Sequence, residues 1–113
     1  KLPPMMRWPI QRARVRGDSM APTYRDGEVI WVRIFAEIKY EIPLGTVVLI
    51  EREDQPGIFY LKRIQQSHGG AYWVEGDSTD FDEQTRMADS RRWGFIPAHE
   101  IKGMAIFSRK QQR

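Results

Sequence analysis

Residues 46–65 read Thr-Val-Val-Leu-Ile-Glu-Arg-Glu-Asp-Gln-Pro-Gly-Ile-Phe-Tyr-Leu-Lys-Arg-Ile-Gln. Two runs rich in β-branched and aromatic residues, 46–52 and 58–65, flank the turn-forming stretch 54–57, which predicts two strands about a turn. The same alternation of short apolar run and turn chemistry recurs along the chain. Strands are expected at 12–16, 28–34, 71–75 and 101–107, separated by Pro22, Asp26-Gly27, Pro43 with Gly45, and His68-Gly69-Gly70. No segment keeps a 3.6-residue apolar period for three turns, so little helix is expected. The fold class that follows is mostly β: a small antiparallel sheet or barrel. One stretch breaks the rhythm, the polar and charged residues 76–94, longer than a routine connection.

Length and composition bound what such a sheet can be. A chain of 113 residues makes one domain with a single modest core. With no cysteine, disulfides, thiolate metal sites and cysteine nucleophiles are excluded together. Only His68 and His99 offer imidazoles, so a zinc site would need both plus carboxylates. No apolar run is longer than that of 47–50, far short of the roughly 20 residues that cross a bilayer. The chain starts at Lys1, so an anchor upstream stays open, and a cytoplasmic location is the expectation for the chain as given.

Charge is unevenly placed. Lys1, Arg7, Arg12, Arg14, Arg16, Arg109, Lys110 and Arg113 stand at the two ends without an acid among them, against a net charge of only +3. Nucleic acid or an anionic membrane surface could use such ends, but solvated tails that keep the protein soluble are the favoured reading. No basic face with interleaved aromatics is read in the body, so nucleic acid is not an expected partner. Residues 1–11 and 108–113 are taken as basic tails around a domain spanning 12–107.

Two positions combine into chemistry. Ser19 follows a strand, with Gly17 before it and Pro22 three residues on, where a sharp turn can present its hydroxyl and leave its N–H for a developing oxyanion. Ordinary turns use the same residue types. A serine needs a base, and both histidines sit in polar turns. Lys62 follows Ile58-Phe59-Tyr60-Leu61 and precedes Arg63-Ile64, so apolar walls can desolvate it, lower its pKa and let its amine take a proton. Strand alternation turns Arg63 the other way.

Ser19-Met20-Ala21-Pro22-Thr23 resembles the nucleophile box of type I signal peptidases, and residues 43–50 are similar to their next box, a glycine opening an apolar strand. Tyr60-Leu61-Lys62-Arg63-Ile64 looks like the lysine box, and Gly76-Asp77 with Asp89-Ser90-Arg91, Gly94, Pro97, Ile101 and Gly103 looks like the last. The four boxes stand in the family's order over residues 15–107. This resemblance implies a serine endopeptidase with Ser19 as nucleophile and Lys62 as general base. It also implies a structural pair Asp89 and Arg91 beneath them, which on composition alone would read as a surface ion pair. Gly17, Asp18 and Met20, which flank the serine, are the expected oxyanion and substrate-contact positions. The implied fold is the antiparallel β unit shared with self-cleaving LexA-type repressors.

Departures from the pattern are specific. Gly17 stands where many signal peptidases have a serine that serves the oxyanion hole, Met87 where a serine often meets the lysine, and Ser78 where an asparagine follows Gly-Asp. Asp77, Asp80, Asp82 and Glu83 match no EF-hand spacing, so an acidic solvated loop is expected there and no metal or cofactor. Only a few residues separate the lysine box from strand 71–75, a layout that resembles the maturation proteases of nickel-type superoxide dismutase. The partner implied is a precursor protein with an N-terminal leader. Alternatives are a signal peptidase whose anchor lies upstream, a LexA-type self-cleaving domain, and a small nucleic-acid-binding barrel with no use for a buried lysine.

Overall fold

The computed structural model describes residues 9–80 and 88–108. Seven strands form one antiparallel sheet: β1 (Ile10–Arg14), β2 (Val29–Ile34), β3 (Val47–Glu51), β4 (Phe59–His68), β5 (Ala71–Glu75), β6 (Ile96–Pro97) and β7 (Ile101–Ser108). Their spatial order is β1-β2-β7-β3-β4-β5-β6, so β7 crosses to lie between β2 and β3. A single helical turn, α1 (Ser90–Trp93), precedes β6. The sheet curls into a half-barrel, and the mostly-β class read from the sequence is the one found.

Burial follows position in the sheet. The interior strand β3 has Val47, Val48 and Ile50 buried, which a near-continuous apolar run requires, whereas the edge strand β1 is exposed at four of its five residues. Two apolar clusters result. One gathers Ile42, Val48, Ile50, Ile64, Tyr72, Val74, Ile96 and Ile101; the other gathers Met20, Tyr24, Ile30, Val32 and Val47. The Tyr72 hydroxyl accepts the Ile42 N–H at 3.0 Å, pinning the 35–45 connection over the first cluster.

The 46–65 stretch makes the expected pair, with Val47 opposite Arg63 and Glu51 opposite Phe59. β4 runs on to His68, past the expected end at 65, because Gly69 and Gly70 both take positive φ (57° and 83°) and close a two-residue hairpin onto β5. The polar run Gln65-Gln66-Ser67-His68 concealed that extension. α1 and β6 were not foreseen either. α1 lies inside the stretch read as a long loop, and the Asp89 carboxylate caps it by accepting the Arg91 N–H. At Gly103 β7 passes so close to β2 that an added Cβ would lie 2.4 Å from the Arg33 carbonyl oxygen.

Candidate active site

After β1 the chain turns at Gly17, whose φ of 81° favours glycine. Its N–H donates to Asp26 Oδ1 at 2.7 Å, and Asp18 Oδ1 accepts the Asp26 N–H at 3.1 Å. This reciprocal pair closes the turn that carries Ser19. The Asp18 carbonyl accepts the Ala21 N–H at 3.0 Å, and the Met20 carbonyl accepts the Tyr24 N–H at 3.0 Å. The Met20 side chain is 2% exposed and sits in the second core cluster, so it anchors the turn and borders the cleft. Among the described residues the N–H groups of Ser19 and Met20 make no hydrogen bond, whereas that of Gly17 is already engaged.

Lys62 reaches this turn from β4. It is 3% exposed, and its Nζ lies 3.2 Å from Ser19 Oγ, 43 residues away in sequence. The serine and lysine singled out by the sequence are therefore brought into hydrogen-bond contact. Beside them lies a cleft of about 770 Å³, walled by β1 and residues 57–62 and floored by Val15, Met20, Ile30, Val32 and Leu49.

A second set of contacts holds the serine turn against the lysine strand, and sequence reading missed it. Arg63, next to Lys62, donates from Nε and Nη2 to the Asp77 carboxylate at 2.9 and 2.6 Å and from Nη1 to the Gly45 carbonyl at 2.7 Å. Asp77 Oδ2 also accepts the Thr23 hydroxyl at 2.7 Å, and the Ser78 N–H donates to the Ser19 carbonyl at 2.9 Å. Residues 77 and 78 thus clasp both ends of the serine turn. Burial raises the Asp77 pKa, but the bonds from Arg63 and Thr23 outweigh it and the carboxyl titrates below its usual range. Asp77 is thereby committed to this clasp and is not set out for a calcium ion. Asp82, Glu83 and Met87 lie outside the described residues.

Asp89 and Arg91 stand behind the clasp. Asp89 is fully buried while Arg91 is exposed, so the pair reaches from the surface to an interior carboxylate. Its Oδ2 accepts the Gly76 N–H at 2.9 Å and Arg91 Nη2 at 2.8 Å, while Oδ1 caps α1. Here too burial raises the pKa and is outweighed, by Arg91 and by the Gly76 and Arg91 N–H groups, so the net shift is downward. Ser90 Oγ accepts the Val74 N–H at 2.9 Å, and the connection runs from α1 through Gly76 to Asp77 and Ser78.

The histidines lie elsewhere. His68 ends β4 beside Phe95, and His99 Nε2 is 2.8 Å from Glu53 Oε2. Glu53, His99 and Glu100 form a group with ligand-type atoms within 4.8 Å of one another. Glu100 is already occupied by Arg52 Nε at 2.8 Å and the Glu53 N–H at 3.0 Å, so this group braces the turn between β3 and β4.

No helix among the described residues is long and apolar enough to cross a membrane. No curated protein matches the chain. A family model described as Peptidase S24-like matches residues 11–93, a span that holds the Ser19 turn, the Lys62 strand and the Asp89–Arg91 pair. From that match over most of its length, the chain belongs to the Peptidase S24-like family of serine peptidases.

Proposed function

We propose that Ser19 and Lys62 act as a Ser–Lys dyad that cleaves one peptide bond in an extended segment, removing an N-terminal leader from a precursor protein. The observation that carries this reading is the 3.2 Å contact between Lys62 Nζ and Ser19 Oγ with the lysine 3% exposed. Burial disfavours an ammonium relative to a neutral amine. The neutral amine accepts the Ser19 proton as Oγ attacks the scissile carbonyl carbon. The oxyanion that forms is met by the Ser19 N–H, with the adjacent Met20 N–H as the second donor. Collapse returns the lysine proton to the leaving amine nitrogen, and a water molecule, deprotonated by Lys62 in turn, hydrolyses the acyl-enzyme.

The cleft walls favour an extended substrate. Among the described residues β1 is an edge strand, and β4 pairs with β5 only from Arg63 onward, so residues 59–62 also have an open side. A peptide between them can hydrogen-bond as an added strand. The precursor of nickel superoxide dismutase is the first substrate to assay, because β4 passes directly into β5 through Gly69 and Gly70, the compact layout on which that resemblance rests.

Ser19→Ala and Lys62→Ala should each lower kcat by at least about 10³-fold, with the double variant no worse, since the two residues act as a unit. Lys62→Arg should be inactive, because a guanidinium stays protonated. Cleavage retained by any of these, measured by mass spectrometry on the precursor, would overturn the dyad. A second reading, cleavage of the protein's own upstream segment, draws on the family match. It requires a rate independent of protein concentration, whereas cleavage in trans scales with it.

A further inference from the structure

β1 alternates in two respects at once. Val15 N–H donates to Glu28 O, Val15 O accepts from Gly27 N–H, and Pro9 O accepts from Ile34 N–H. Odd-numbered residues therefore turn their main-chain groups toward β2, and Arg12 and Arg14 turn theirs toward the open edge. The same alternation packs Ala13 and Val15 on the second core cluster and puts the Arg12 and Arg14 side chains on the opposite face.

That face continues across β2. Trp31 is the register partner of Arg12, and Arg33 that of Ile10. Arg12, Arg14, Arg16 and Arg33 are all exposed. Among the described residues none of the four is within salt-bridge distance of a carboxylate, and Arg14 bonds only the Gly27 carbonyl, at 2.8 Å. Sequence reading placed no basic face with an interleaved aromatic in the body; pairing β1 with β2 makes one.

We propose that the enzyme selects substrates whose segment beside β1 alternates apolar and acidic residues, the acidic side chains pairing with Arg12, Arg14 and Arg16. This rests on the dyad reading above and specifies the substrate class of that same cleft. A strand laid on the open edge has its residues directly opposite Arg12 and Arg14 on the arginine face, within reach of the guanidinium groups. Its intervening residues face the apolar floor around Val15, Met20 and Leu49. Side chains alternate with period two in parallel and antiparallel pairing alike, so the pattern holds for either strand direction.

The test uses the full chain carrying Ser19→Ala and synthetic peptides in which valine alternates with glutamate, glutamine or lysine, with affinity read by calorimetry. The glutamate peptide should bind roughly two- to five-fold tighter per acidic residue than the glutamine peptide. That margin should shrink at about 1 M salt, where charges are screened beyond about 3 Å. The Arg12→Gln/Arg14→Gln variant should lose the preference, and Arg12→Glu/Arg14→Glu should reverse it toward lysine, with circular dichroism confirming that both fold. Equal affinity for the glutamate and glutamine peptides would overturn the proposal. So would equal affinity for a peptide with the same residues sorted into an acidic block and an apolar block, which reports mere charge attraction. Tighter binding of oligothymidylate than of the glutamate peptide would assign the face to nucleic acid and overturn it as well. Because binding is read without turnover, an inactive wild-type protein would break the dyad reading and leave this result standing.

Discussion

Arginines at the two ends of the sheet are treated in opposite ways. Around β4, β5 and α1, Arg52 is matched to Glu100, Arg63 to Asp77 and Arg91 to Asp89, each at 2.6–2.8 Å. On β1 and β2, Arg12, Arg14, Arg16 and Arg33 meet no carboxylate among the described residues. The matched arginines hold backbone: Arg63 and Arg91, through Asp77 and Asp89, fix residues 76–78 and with them the serine turn. Of the unmatched ones Arg14 bonds the Gly27 carbonyl alone, and Arg12, Arg14 and Arg16 border the cleft. Structural arginines and recognition arginines are thus separated by whether the protein supplies the anion.

The largest effect expected from this contrast falls on Asp89. Asp89→Ala removes a helix cap and the charged acceptor of Gly76 and Arg91, and should cost about 3 kcal/mol in urea unfolding. Arg33→Gln on the other face should change stability by no more than about 0.5 kcal/mol. A comparable loss in both would erase the distinction.

Next comes the seam that joins the arginine ribbon to the rest of the sheet. With Arg33 O only 2.4 Å from a Cβ at position 103, Gly103→Ala must push β7 from β2 and should cost about 1–3 kcal/mol. A neutral outcome in thermal melts would mean that the ribbon is not seated by this backbone contact.

A smaller and graded effect is expected with pH. Asp77 and Asp89 have folded-state pKa values lowered relative to the unfolded chain, so the unfolded state binds more protons as pH falls through that range. Their contribution is full above the unfolded value of about 3.9 and is lost as pH drops through the folded ones. Asp77→Asn should flatten part of this acid limb, and Arg12→Gln should leave its shape unaltered. Melting temperatures between about pH 6 and pH 2 would read both.

How far these features were legible in the sequence depends on range. Strand cores were readable because β-branched runs between turn residues carry a local signal, and 71–75 was placed to the residue. The contact between Ser19 and Lys62 was readable because the family resemblance fixes the order of the two residues. The Thr23–Asp77–Arg63 clasp was not, since it joins residues up to 54 apart through side-chain geometry that no spacing encodes. The basic face was missed for a related reason. Arg12, Arg14 and Arg16 were counted as end charge, while Trp31 and Arg33 lie in another strand, and only the β1–β2 register unites them.

An open strand edge kept for a visitor is also open to the protein's own copies. Unpaired edges template ribbon growth from molecule to molecule, and sheet proteins suppress it by charging them. Here β1 is the edge, and its exposed arginines set any two such edges against each other by like charge. The same side chains that invite an acidic segment therefore act as a colloidal safeguard. Neutralising them, or shielding them with concentrated salt, should send the purified protein toward edge-to-edge oligomers long before it unfolds.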